Sequence, residues 1–274
     1  MNYRHAFHAG NFADLVKHAG LLQLVRELTA TGSPLTVIDT HAGRGLYDLA
    51  GEDARRSGEA EAGVLRLMAL SDPPRVLKGL TAAVAGLNDG GKIRRYPGSP
   101  WLIAETLRAQ DSYIACELRP DEHEALRVAM RGRTNVRTFA ADGYAAAIAH
   151  CPPRGRVLTL IDPPFERPDD YAQIVQTIAA LRRRNPNAQA LIWLPLKDLE
   201  TFDGFLRDLE DGVEAPLQVA ECRIRPLTDP MKMNGCALVA VGAPDLQAPL
   251  SEICAWVADT LGQGGSSRVY RVAA

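Results

Sequence analysis

Short runs of strand-forming residues recur along the chain at 35–39, 112–116, 135–139, 157–161, 188–194, 218–224 and 236–241. The run at 157–161 is apolar but for Thr159 and bounded by turn residues, which predicts a buried strand. Helical spacing fills the stretches between them. Leu15, Leu22, Val25 and Leu28 mark a helix over 14–29, and further helices are predicted over 100–108, 120–131, 171–184 and 199–210. Strands alternating with helices predict an α/β fold with a mostly parallel sheet. No helical pattern separates the runs at 218–224 and 236–241, so these should close the sheet as an antiparallel pair. Residues 269–272 offer at most a weak edge strand. The expected architecture is a Rossmann-like, seven-stranded, mostly parallel sheet with an antiparallel closing strand, within a single domain spanning 1–274.

Residues 46–95 break the rhythm. They are mostly helical in pattern, interrupted at Ser71-Asp72-Pro73-Pro74 and Asn88-Asp89-Gly90-Gly91. One crossover helix would not need this length. The stretch is expected to hold a first helix and then a helical insertion at about 52–95, long enough to reach past the sheet toward a large substrate. Residues 1–31 form an N-terminal segment and helix with three of the six histidines, His5, His8 and His18. Their spacing fits no usual metal ligand set, so no metal is expected.

Composition narrows the class. The apolar fraction of 46% and charged fraction of 23% suit a globular protein, and no apolar run reaches membrane-spanning length. The polar N-terminus lacks the apolar core of a signal peptide. Five scattered cysteines without a C-x-x-C pair suggest reduced thiols in a cytoplasm. A net charge of −2 argues against indiscriminate coating of nucleic acid. Local basic clusters at 92–95, 131–137 and 182–184 are either solvated faces or phosphate contacts.

Candidate chemistry sits at the strand ends. Residues 157–161 lead into Asp162-Pro163-Pro164-Phe165, a stiff loop where open α/β sheets bind ligands. Asp162 and the Pro163 carbonyl can accept hydrogen bonds from an exocyclic amine and localise its lone pair. Phe165 can stack on the base. The same four residues also suit a plain turn, but their place late in the alternating pattern favours chemistry. The first strand ends in Thr40-His41-Ala42-Gly43-Arg44-Gly45, a glycine turn that admits a ligand close to the backbone. Asp48 stands where a dinucleotide fingerprint needs glycine, so a nicotinamide cofactor is disfavoured. Ser99 before Pro100 looks like a helix N-cap. Glu117 at the next strand end can accept both ribose hydroxyls of an adenosine, and Asp142-Gly143 at the third can meet the adenine amine.

Together these four strand-end signals resemble S-adenosylmethionine-dependent methyltransferases, and Asp162-Pro163-Pro164-Phe165 resembles their amine-directed D/N-P-P-Y/F/W motif. Tyr3-Arg4-His5-x-Phe7-His8-Ala9-Gly10-Asn11, with Asp14, Lys17 and His18, resembles the RlmJ family more narrowly. That family methylates adenine N6 in bacterial 23S ribosomal RNA. Asp39-Thr40-His41-Ala42-Gly43 and Tyr96-Pro97-Gly98-Ser99-Pro100 fit it as well. The resemblance implies S-adenosylmethionine contacts from Lys17, His18, His41, Ser99, Glu117, Asp142, Gly143 and Asp162. It makes Asp162, Pro163 and Phe165 the catalytic loop, and Tyr3 and His5 contacts to the RNA. It further implies a 23S ribosomal RNA hairpin as partner and a cytoplasmic enzyme, expected to be a monomer. Phe165 departs from the family's usual tyrosine and also suits guanine-N2 methyltransferases. Guanine-N2 or DNA amino-methylation therefore stays open, as does a non-catalytic RNA-binding module.

Overall fold

The computed structural model describes residues 7–228 and 233–272. Tyr3 and His5 lie outside the described residues, as does most of the loop at 228–234 that could cover the site. Helix α1 (Phe12–Thr29) opens with Asn11, whose side chain accepts from the Asp14 N–H at 2.9 Å. It is buried almost all round, Asp14, Lys17 and His18 included, because it packs against strand, helix and insertion at once.

The parallel strands are β1 (Leu35–Asp39), β4 (Ser112–Cys116), β5 (Val136–Phe139), β6 (Arg156–Ile161) and β7 (Ala188–Leu196). β8 (Leu217–Arg223) and β9 (Gly235–Val241) pair antiparallel, as the missing helical pattern predicts. The sheet has eight strands, not seven, in the order β10-β8-β9-β7-β6-β1-β4-β5. The eighth, β10 (Ser266–Val272), pairs antiparallel with β8 along its whole length, from Ser266↔Arg223 to Val272↔Leu217. Its weak apolar pattern reflects an edge strand left largely open to solvent, so burial does not select its side chains.

Helices α6 (Ser99–Thr106) and α7 (Pro120–Ala129) follow β1 and β4 and share one core with α1 and α11 (Gln247–Leu261). Helices α8 (Gly143–His150), α9 (Asp170–Arg184) and α10 (Leu199–Gly212) cover the opposite face. Along β6 the period-2 alternation is visible: Leu158 and Leu160 enter one core and Ile161 the other.

No helix follows the glycine turn directly, contrary to expectation. Strand β2 (Leu46–Asp48) pairs antiparallel with β3 (Arg95–Pro97) instead. This ribbon closes off the intervening short helices α2 (Glu52–Ser57), α3 (Glu59–Ala62), α4 (Val64–Met68) and α5 (Lys78–Gly86). The pairing joins residues some fifty positions apart, which no local pattern records. The insertion is tied to the N-terminal segment, since the Val64 N–H donates to the Gly10 carbonyl at 2.8 Å.

Candidate active site

The strand order reverses direction between β1 and β6, both of which run parallel. Ligands bind outside the carboxyl ends of strands at such a switch point. A cavity opens there, lined by Lys17, His18, His41, Gly43, Ser99, Glu117, Asp142, Gly143, Asp162 and Pro163. The described residues expected to form the catalytic loop and the donor site therefore meet in one place, with one exception. Phe165 does not line the cavity. Its half-buried side chain leans on Tyr171 at 4.9 Å and Trp193 at 6.0 Å, and its φ is +51°.

Glu117 follows β4 and is clamped by backbone. Its Oε2 accepts from the Gly43 N–H at 3.0 Å and its Oε1 from the Arg119 N–H at 2.8 Å. A carboxylate has about four acceptor positions, so two remain for a diol. Burial raises its pKa, and those two N–H donors oppose the shift. Gly43 and Gly45 adopt positive φ of +64° and +82°, which lets the turn fold back on Glu117. Arg44 grips Glu122 with two hydrogen bonds of 2.9 and 2.7 Å and ties the same turn to α7.

Asp142 caps α8, its Oδ1 accepting from the Ala145 N–H at 3.0 Å. A Cβ on Gly143 would fall 1.8 Å from the Thr40 carbonyl oxygen, so only glycine brings α8 this close to the end of β1. Ser99 is not the N-cap; Gly98 is, and Ser99 starts the helix. The Ser99 hydroxyl donates to Asp39 Oδ2 at 2.8 Å, joined there by the Tyr113 hydroxyl at 3.1 Å. The sequence marks Asp39 as a strand end and a motif residue but gives it no role of its own. Its burial pushes the carboxyl up to about 7, against the pull of Ser99 and Tyr113.

His41 is stacked edge-on to Tyr144 at 5.0 Å, and burial lowers its pKa to about 4, so the ring is neutral at pH 7. His18 Nδ1 lies 2.8 Å from the Tyr96 hydroxyl. Lys17 Nζ donates to Asp162 Oδ2 at 2.6 Å and stands 3.0 Å from Asp14 Oδ1. Its ammonium thus sits between two protein carboxylates.

Tyr47, Leu118, Arg119, Glu122, Tyr144, Arg167 and Asp170 also line the cavity without having been singled out. Several are direct neighbours of motif residues, and that adjacency is the signal that could have found them. The basic clusters resolve differently. Arg182 donates to the Ala188 and Glu214 carbonyls, Arg184 to that of Cys151, and Arg133 lies over Trp101, so these serve the fold. Lys92, Arg94 and Arg95 are exposed.

A mostly parallel sheet in this order, with acceptors from neighbouring strand ends around one switch-point cavity, defines a Rossmann-like methyltransferase. The residues fit an adenosine-bearing donor: a clamped diol acceptor and a glycine at the closest backbone approach. The family model "Ribosomal RNA large subunit methyltransferase D, RlmJ" matches residues 32–272, and the chain belongs to this RlmJ family. It is similar to ribosomal RNA large subunit methyltransferase J of Escherichia coli (strain K12), 33% identical over 97% of this chain and 96% of that protein. The Haemophilus influenzae enzyme of the same name is 33% identical over 95% and 94%. A crystal structure of a Legionella pneumophila protein superposes with a TM-score of 0.87 at 26% identity, covering 97% of this chain and 98% of that one. The protein is an S-adenosylmethionine-dependent ribosomal RNA methyltransferase.

Proposed function

We propose that the protein methylates the exocyclic N6 of one adenosine in 23S ribosomal RNA, acting as a monomer on a hairpin in the cytoplasm. The observation that carries the reading is the shared cavity, where Asp162 opens onto the same space as Ser99, Glu117 and Asp142. We read residues 1–274 as one methyltransferase domain, with 1–31 and the insertion at about 52–95 holding RNA at the sheet edge. Tyr3 and His5 belong to that RNA-holding segment.

S-adenosylmethionine, when bound, supplies a methyl carbon activated by a positive sulfur. Glu117 accepts the ribose hydroxyls and Asp142 the adenine amine. Ser99 already donates to Asp39, so its lone pairs face a cationic donor such as an amino-acid ammonium. Lys17, His18 and His41 wall the space between cofactor and substrate. The target base must leave its stack, at a cost of a few kcal/mol. Asp162 Oδ2 is engaged by Lys17, which leaves Oδ1 and the Pro163 carbonyl to accept the two N6–H groups and localise the lone pair. The same two acceptors would hold the positive charge on N6 as the methyl carbon passes to nitrogen and the broken carbon–sulfur bond leaves its electron pair on sulfur, until an N6 proton is lost to solvent. Phe165, packed on Tyr171 and Trp193, holds the Asp162 loop from outside the cavity. Positioning supplies most of the acceleration.

Tritium should pass from S-adenosylmethionine to 23S ribosomal RNA taken from cells lacking the protein, and nucleoside mass analysis should find N6-methyladenosine. Label recovered as N2-methylguanosine, or RNA binding without incorporation, would overturn the reading.

A further inference from the structure

A second cleft of about 480 Å³ opens at the same edge of the sheet, beyond the ends of β7 and β8. That volume suits one nucleotide-sized ligand. Its walls carry the half-buried Phe12 ring, Met233, His8, Asn11, Glu59 and Arg225. Glu59 is held in place from two sides: His8 Nδ1 lies 2.9 Å from Oε1, and Asn11 Nδ2 donates to Oε2 at 2.9 Å. Acceptor positions remain on that carboxylate for the amino or imino edge of a base. The hydrogen bond to Glu59 raises the His8 pKa, against the effect of burial. Arg225 is exposed at the rim, where a phosphate would pass.

The cleft is linked to the first cavity through the first turns of α1. Asn11 Oδ1 accepts from the Asp14 N–H at 2.9 Å, Asp14 pairs with Lys17 at 3.0 Å, and Lys17 donates to Asp162 at 2.6 Å. A group seated on Glu59 therefore bears on the same short run of polar contacts that holds the amine acceptor. An RNA that extrudes one nucleotide into the first cavity carries its neighbours along this edge.

We propose that the second cleft is a nucleotide subsite for the RNA residue adjoining the target adenosine, with its base against Phe12 and Met233, its edge on Glu59 and its phosphate on Arg225. The assignment rests on RNA being the substrate and adds the place where a flanking nucleotide is read. Aromatic and thioether surfaces accept any base face, whereas Glu59 favours an edge that presents N–H donors. The subsite thus selects sequence context beside the target.

The test uses the full chain with 23S ribosomal RNA from cells lacking the protein. Arg225→Glu and Glu59→Gln are each expected to raise KM for RNA about tenfold, with the Kd for S-adenosylhomocysteine within about twofold of wild type. Ultraviolet crosslinking and mass spectrometry of the digest should join Phe12 or Met233 to a nucleotide next to the modified adenosine. Wild-type KM in both variants, or crosslinks elsewhere on the protein with none at Phe12 or Met233, would overturn the subsite even with methyl transfer intact. A crosslink at these residues without methyl incorporation would uphold the cleft as an RNA site and overturn the methylation reading instead.

Discussion

Two groups at the end of β1, buried Asp39 and half-buried His41, titrate in opposite directions. Burial lowers His41 to about 4 and raises Asp39 to about 7. Between about pH 4 and 6.5 an unfolded chain holds a proton on His41 that the folded one has lost, so this group makes stability rise with pH. Over about 3.8 to 7 the folded chain holds a proton on Asp39 that the unfolded one has lost, so that group makes stability fall with pH. Removing the imidazole separates the two. The stability gap between wild type and His41→Gln should shift toward wild type on going from about pH 4.5 to about pH 6.5, by at most about 1 kcal/mol per unit, as read from urea midpoints. Asp162→Ala should abolish methyl transfer, lowering kcat by at least about a hundredfold. Its fold should survive at a cost of about 1–2 kcal/mol, because Lys17 keeps Asp14 as a partner. Tritium incorporation and a thermal melt check the two halves. Sequence alone brought out His41 and Asp162 because each comes just after a strand, and strand ends converge in this fold. It did not reveal the role of Asp39, which depends on Ser99 and Tyr113, each more than fifty positions away.

Among the elements, α8 is held to the end of β1 with no room to spare. A Gly143→Ala variant would drive its Cβ into the Thr40 carbonyl at 1.8 Å and push the helix off the sheet. The expected cost is about 2–4 kcal/mol in urea unfolding, with weaker S-adenosylhomocysteine binding because Asp142 moves with the helix. Most elements were legible from periodicity, down to the bounds of β1 and β4. Two were not. The β2–β3 ribbon forms because distant segments pair, and its residues carry no strong strand pattern. The N-cap of α6 fell to Gly98 because Asp39 claims the Ser99 hydroxyl. In both cases a tertiary partner outweighed local preference.

For the whole molecule, β10 covers the edge that β8 would otherwise present to solvent. A chain ending at Gly264 should melt at lower temperature and associate through that bare edge, visible by light scattering at rising concentration. The other end of the sheet is finished by the short strand β5. No helix among the described residues is long and apolar enough to cross a membrane. The insertion and α1 are joined through Glu59, Gly10 and Val64, so the second cleft is a product of the assembled chain and has no counterpart in any single motif.

The order of apolar runs and helical stretches determined that this protein is a mostly parallel α/β sheet with polar chemistry at the strand ends, because period and turn residues act locally. Motif residues in that order also marked side chains that line the cavity at the switch point. Only the tertiary structure decided that Lys17 reaches Asp162, that Phe165 turns into an aromatic nest, and that an eighth strand closes the sheet. Those outcomes depend on which distant groups compete for one buried donor, acceptor or surface, and spacing along the chain carries no record of that competition.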